Sequence, residues 1–144
     1  MKKIIAAIIF TVIIGGLNVQ ESSAQCNPDS YSSACLSKLK EGYTFLKNLN
    51  IDGQAGAKDK VEFSYPFSKD TRYFINICSE GADTGGIIVS IYDSNRKIVG
   101  TNFVNGKFFP GIEYPCGATG IYYITFTFEG SSTYCGSSVL GFKR

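Results

Sequence analysis

Between residues 61 and 67 apolar and polar positions alternate: Val61, Phe63, Tyr65 and Phe67 fall on one side, Glu62 and Ser64 on the other. A period of two marks a strand with one buried and one wetted face. Pro66 cannot donate to a ladder, so this strand belongs at a sheet edge or the proline at a strand end. Similar runs, bounded by turn residues, predict strands over 43–50, 72–78, 87–93, 97–104, 107–114, 121–128 and 138–143, eight with 61–67. Within 121–128 the even positions Tyr122, Ile124, Phe126 and Phe128 form the inward set, while Tyr123 shares the outer face with Thr125 and Thr127. Asn105-Gly106, between Phe103-Val104 and Lys107-Phe108, suits a two-residue type I′ hairpin, and Asp93-Ser94-Asn95 supplies another turn. Only ahead of residue 43 does the spacing turn helical: Asn27 to Asp29 offers a helix start and Leu36 and Leu39 follow, predicting a short helix over 30–41. Many short strands with little helix define an all-β class, an antiparallel β-sandwich of jelly-roll or Greek-key type.

Residues 1–24 are patterned differently. Lys2 and Lys3 precede an apolar stretch from Ile4 to Leu17, and small and polar residues close the segment at Ser22-Ser23-Ala24. This is the layout of a secretory signal peptide, and the stretch is shorter than the roughly 20 residues that span a bilayer as a helix. Cleavage after Ala24 would expose Gln25. The rival is lipidation of Cys26, which would set Gln25 where a lipoprotein signal normally carries a small residue. The expected organisation is a signal peptide over 1–24, an N-terminal segment with a short helix over 25–42 and one sandwich domain over 43–144. The domain is expected to be exported to the periplasm, the cell surface or the medium, with no membrane span after cleavage.

Composition narrows the chemistry. The chain has 144 residues, five cysteines, no histidine and no tryptophan. Loss of residues 1–24 removes Lys2, Lys3 and Glu21, leaving 12 basic and 11 acidic residues scattered singly. That balance argues against nucleic acid and anionic membrane surfaces as partners. Without histidine there is no Ser-His-Asp or Cys-His engine and no Cys-His zinc site. Glu62, Asp93, Glu113 and Glu129 could form a glycosidase pair only if two converged across a cleft, and nothing in their spacing brings them together. Asp52-Gly53 with Asp59, and Asp83-Thr84-Gly85, offer too few oxygens for calcium and read as turns. No catalytic residue, metal or cofactor is expected.

Cysteines 26, 35, 78, 116 and 135 all lie in the exported part, where disulfides are the default. An odd count leaves one thiol unpaired or linked to a partner, and Cys26, beside the new terminus, is the natural candidate.

The run Ile87-Ile88-Val89-Ser90-Ile91-Tyr92-Asp93-Ser94-Asn95-Arg96-Lys97, with Cys116-Gly117-Ala118-Thr119-Gly120-Ile121-Tyr122-Tyr123-Ile124 after it, resembles bacterial pre-peptidase C-terminal domains. The resemblance covers roughly residues 43–143 and implies a small jelly-roll sandwich, here as a stand-alone exported protein rather than a rider on a protease. In jelly-roll order the last strand lies between the first and third. Cys78 and Cys135 would then meet at one end, and Cys116 at the other with the N-terminal segment. The pairing expected on that basis is Cys78 with Cys135 and Cys116 with Cys35, against a rival local bridge between Cys26 and Cys35.

Two roles follow. An exported accessory module with a protein partner in the cell envelope accounts for exposed sheet edges and an odd cysteine. The alternative is a carbohydrate-binding module, in which Tyr123 stacks on a sugar ring.

Overall fold

A computed structural model describes residues 25–80 and 86–144, so the signal-peptide reading and the Asp83-Thr84-Gly85 segment lie outside the described residues. The strands are β1 (Thr44–Asp52), β2 (Lys60–Phe67), β3 (Arg72–Asn76), β4 (Cys78–Ser79), β5 (Ile88–Tyr92), β6 (Ile98–Thr101), β7 (Phe103–Val104), β8 (Lys107–Phe108), β9 (Gly111–Pro115), β10 (Gly120–Thr127) and β11 (Cys135–Lys143). One helix, α1 (Asp29–Ser37), precedes them and ends four residues short of the helix expected from the pattern. The strand expected over 97–104 divides into β6 and β7, and that over 107–114 into β8 and β9, because residues 103–108 leave the sheets as a separate hairpin.

The long strands form two antiparallel sheets. One runs β1-β11-β3-β9, with β4 extending the line of β3 along β11, and the other runs β2-β10-β5-β6. With β11 between β1 and β3, this is jelly-roll order, and β2 with its Pro66 is a sheet edge. Alternation decides what enters the core. Tyr122, Ile124 and Phe126 of β10 lie opposite Tyr65, Phe63 and Val61 of β2 and pack inward against Leu49, Ile51, Ile75 and Leu140 of the facing sheet. Near one end Phe67 is stacked between Tyr73 at 3.7 Å and Tyr122 at 4.8 Å, tying β2, β3 and β10 together. The two tyrosines keep their hydroxyls satisfied: Ser68 N–H donates to Tyr73 at 2.8 Å and Tyr122 donates to the Ala118 carbonyl at 2.8 Å.

α1 lies along β11 on the outer face of the first sheet. Cys35, Cys78 and Val139 make a second small core there, with Tyr31 and Leu39 against it. Gly141 permits the approach, since a Cβ at that position would stand 2.6 Å from Leu39 Cδ1 and 3.2 Å from the Thr44 carbonyl oxygen. Hydrogen bonds complete the seam: Asn76 Nδ2 donates to the Cys35 carbonyl at 2.9 Å, and Val139 N–H donates to Asn76 Oδ1 at 2.9 Å.

The disulfides differ from the expected pairing. Cys26 bonds Cys135 and Cys35 bonds Cys78, while Cys116 is the free, buried thiol. Cys78 and Cys135 do reach the same end and the same sheet face, because Ser137 pairs with Cys78 and Cys135 lies two residues away. The N-terminal segment is also on that face rather than at the Cys116 end, so each of its two cysteines reaches one of them. Cys26 is therefore a staple and not an unpaired thiol. In a chain-entropy model, loops of 109 and 43 residues give the bridges about 5 and about 4 kcal/mol respectively.

Candidate functional site

The two ends of the sandwich are unequal. Connections 68–71, 93–97 and 116–119 are tight turns at one end; 53–59, 102–110 and 128–134, of seven to nine residues, gather at the other. Loops carried on a rigid sheet scaffold are where binding surfaces form. The Cys26–Cys135 bridge also lies at the long-loop end, where Cys135 faces Asp52 across the β1–β11 ladder.

The most exposed apolar feature of that end is the β7–β8 hairpin. Asn105 and Gly106 at its tip have φ of 50° and 74°, both positive as a type I′ turn requires. Phe103 and Phe108 face each other across the two strands with ring centroids 4.6 Å apart. Phe103, Val104, Phe108 and Phe109 are 37%, 45%, 43% and 48% exposed. At about 200 Å² per phenylalanine these exposures amount to roughly 300 Å² of apolar surface, the size at which a patch on a monomer is often functional.

The hairpin is fixed at its base by Asn102, which is 1% exposed. Val89 N–H donates to its Oδ1 at 2.8 Å, and its Nδ2 donates to the Ile87 and Phe109 carbonyls at 3.3 and 3.1 Å. Its own N–H reaches the Val89 carbonyl at 3.1 Å, and Phe109 N–H reaches its carbonyl at 2.7 Å. Sequence reasoning found the Asn105-Gly106 turn but missed this anchor, because a lone asparagine after a strand reads as a turn residue.

At the opposite margin of the same end, the β1–β2 loop stores strain. Gln54, Ala55 and Gly56 have consecutive positive φ values of 49°, 52° and 94°, a left-handed turn that two of the three side chains disfavour. Asp52 Oδ1 holds it by accepting Gln54 N–H at 2.8 Å. Between this turn and Tyr134 lies a cleft of about 630 Å³ beside Cys26 and Cys135.

The residues suggested for other chemistry disperse. Glu62 sits on the outer face of the β2-β10-β5-β6 sheet, where Arg96 Nη1 donates to both its oxygens at 3.0 Å and Thr125 donates at 3.0 Å. Burial acts to raise its carboxyl, but the hydrogen bonds from Arg96, Thr125 and Lys60 outweigh it and hold the pKa below 4.5. Glu113 is on the opposite sheet, where a hydrogen bond from Lys40 lowers its pKa against the opposing effect of burial, aided by the charges of Lys40, Lys143 and Arg72. Asp93 accepts the N–H groups of Asn95 and Lys97 at the short-turn end. Among the described residues no three His, Cys, Asp or Glu side chains gather as a metal site. The Arg96 guanidinium lies over the Tyr123 ring at 3.5 Å, covering one stacking face suggested for a sugar. Cys116 Sγ lies 3.1 Å from the Ala118 carbonyl and 3.7 Å from the Tyr122 hydroxyl, at the end away from the long loops.

No protein-family model matches the chain, and no curated protein sequence matches it. Among solved structures it is similar to Aeromonas hydrophila PliG, a periplasmic lysozyme inhibitor of g-type lysozyme, with 11% identity and a TM-score of 0.41 over 71% of this chain and 85% of that one. A likeness of that extent says nothing about what this surface binds.

Proposed function

We propose that the chain is an exported, non-catalytic module that binds a protein partner through its long-loop end, with the β7–β8 hairpin as the anchor. The observation that carries this reading is a hairpin presenting four apolar side chains while its base is pinned by the buried Asn102 amide. A rigid protrusion loses little conformational freedom on binding, so more of its contact energy is realised. Burying roughly 300 Å² of apolar surface yields about 7 kcal/mol gross, comparable to the roughly 4 to 15 kcal/mol that association costs. The hairpin is therefore the centre of a larger contact and not the whole of it. The pre-peptidase C-terminal-like character of the strands belongs to this reading and rests on the residues quoted for it.

The test is a stoichiometric pull-down from cell envelope with the wild type and the Phe103→Ser/Phe108→Ser double variant. A partner retained by the first and lost by the second, with thermal unfolding unchanged, supports the reading. Equal retention removes the hairpin from it.

A further inference from the structure

Among the described residues β9 is an edge strand, with a ladder partner in β3 alone. Ile77 N–H donates to the Pro110 carbonyl and Cys116 N–H to the Thr71 carbonyl, which fixes the alternation. Ile112 and Tyr114 turn their backbone groups toward β3; Gly111 and Glu113 turn theirs toward the open edge. Beside this edge, on the outer sheet face that α1 leaves uncovered, lies a groove of about 430 Å³. Its exposed apolar surfaces are Phe74 and Pro110, and Lys38 and Lys40 line it from the segment after α1. Gly111 contributes no side chain, and a Cβ there would meet the Ile75 carbonyl oxygen at 2.8 Å and the Phe74 ring at 3.0 Å. Among the described residues Glu113 is the one carboxylate lining the groove, and it faces Lys40, Lys143 and Arg72. Cations thus exceed anions along this margin although the chain as a whole is nearly neutral.

We propose that an extended, acidic segment of the protein partner adds as a strand to the free edge of β9, its apolar side chains over Phe74 and its carboxylates toward Lys38 and Lys40. This deepens the protein-binding reading and rests on it. Main-chain hydrogen bonds supply the affinity in such strand addition, and the groove and its lysines supply the selection. Pro110 joins the groove to the hairpin, so one partner can engage both.

The experiment uses the disulfide-intact chain, labelled with 15N, and acetylated nine-residue peptides alternating valine with glutamate or valine with lysine. The valine–glutamate peptide is expected to shift the amide signals of Gly111 and Glu113 and to bind at least about tenfold tighter than the lysine peptide. The Lys38→Glu/Lys40→Glu variant should reverse that preference. Glu113→Pro, which removes an outward N–H that β3 does not use, should abolish binding of either peptide, while Glu113→Ala retains it. The hairpin variant Phe103→Ser/Phe108→Ser should still bind the peptide, so failure of the edge and failure of the anchor read out separately. No shift at Gly111 and Glu113, equal response to both peptides, or indifference to charge reversal would overturn the proposal. Concentration-dependent shifts along β9 without peptide would assign the edge to a second copy of the chain and overturn it as well.

Discussion

The side-chain oxygen of Asn102 lies 2.8 Å from the backbone nitrogen of Val89, inside the sandwich, and the same amide donates to Phe109 at 3.1 Å where the exposed hairpin returns. A buried amide thereby couples β5 to the apolar hairpin. Replacing it with Asn102→Ala leaves the Val89 N–H and two carbonyls without partners, a loss of about 2 to 4 kcal/mol. Urea unfolding should show that loss, and hydrogen exchange at residues 103–108 should quicken more than at β10. Uniform quickening would mean that Asn102 stabilises the domain without fixing the hairpin.

Peptide mapping without reductant should recover Cys26 joined to Cys135 and Cys35 joined to Cys78. Removing the buried bridge with Cys35→Ser/Cys78→Ser should cost about 2 to 5 kcal/mol. The Cys116 thiol, 4% exposed, should resist a water-soluble thiol reagent in the native protein and react at once in denaturant. Rapid labelling of the folded chain would contradict its burial.

Acid should weaken the fold through Glu62 and Glu113. Both carboxyls are more acidic in the folded protein than the ordinary 4.5, so their contribution is complete above that value. It is lost as the pH falls through their lower folded pKa values. Melting temperature measured from pH 7 to pH 3 should decline in the acid range, and Glu62→Gln should flatten that decline while leaving its shape above about pH 5 unchanged.

Gly141 sets how closely α1 lies on β11. Gly141→Ala places a methyl 2.6 Å from Leu39 Cδ1 and should destabilise the domain by about 1 to 3 kcal/mol. Adding Leu39→Ala should recover part of that loss in the same thermal assay, because the clashing atoms are then absent. No recovery would place the strain at the Thr44 carbonyl instead.

Alternation alone determined β2 and β10, since Val61 to Phe67 and Tyr122 to Phe128 must turn apolar side chains one way whatever sheet they join. The Asn105-Gly106 tip was likewise readable, because few residues tolerate two successive positive φ angles. Local pattern carried the all-β class and even the place of β11 between β1 and β3, once jelly-roll order was adopted. It could not carry the path of the first segment. Whether Cys26 and Cys35 lie over β11 or reach Cys116 depends on Gly141, Ser137 and Asn76, residues distant in sequence that admit and hold the helix. The open edge of β9 and the lysine-rimmed groove share that character. Each exists only where strands far apart along the chain are brought side by side, and tertiary packing alone decides which polar groups it leaves satisfied and which apolar ones exposed.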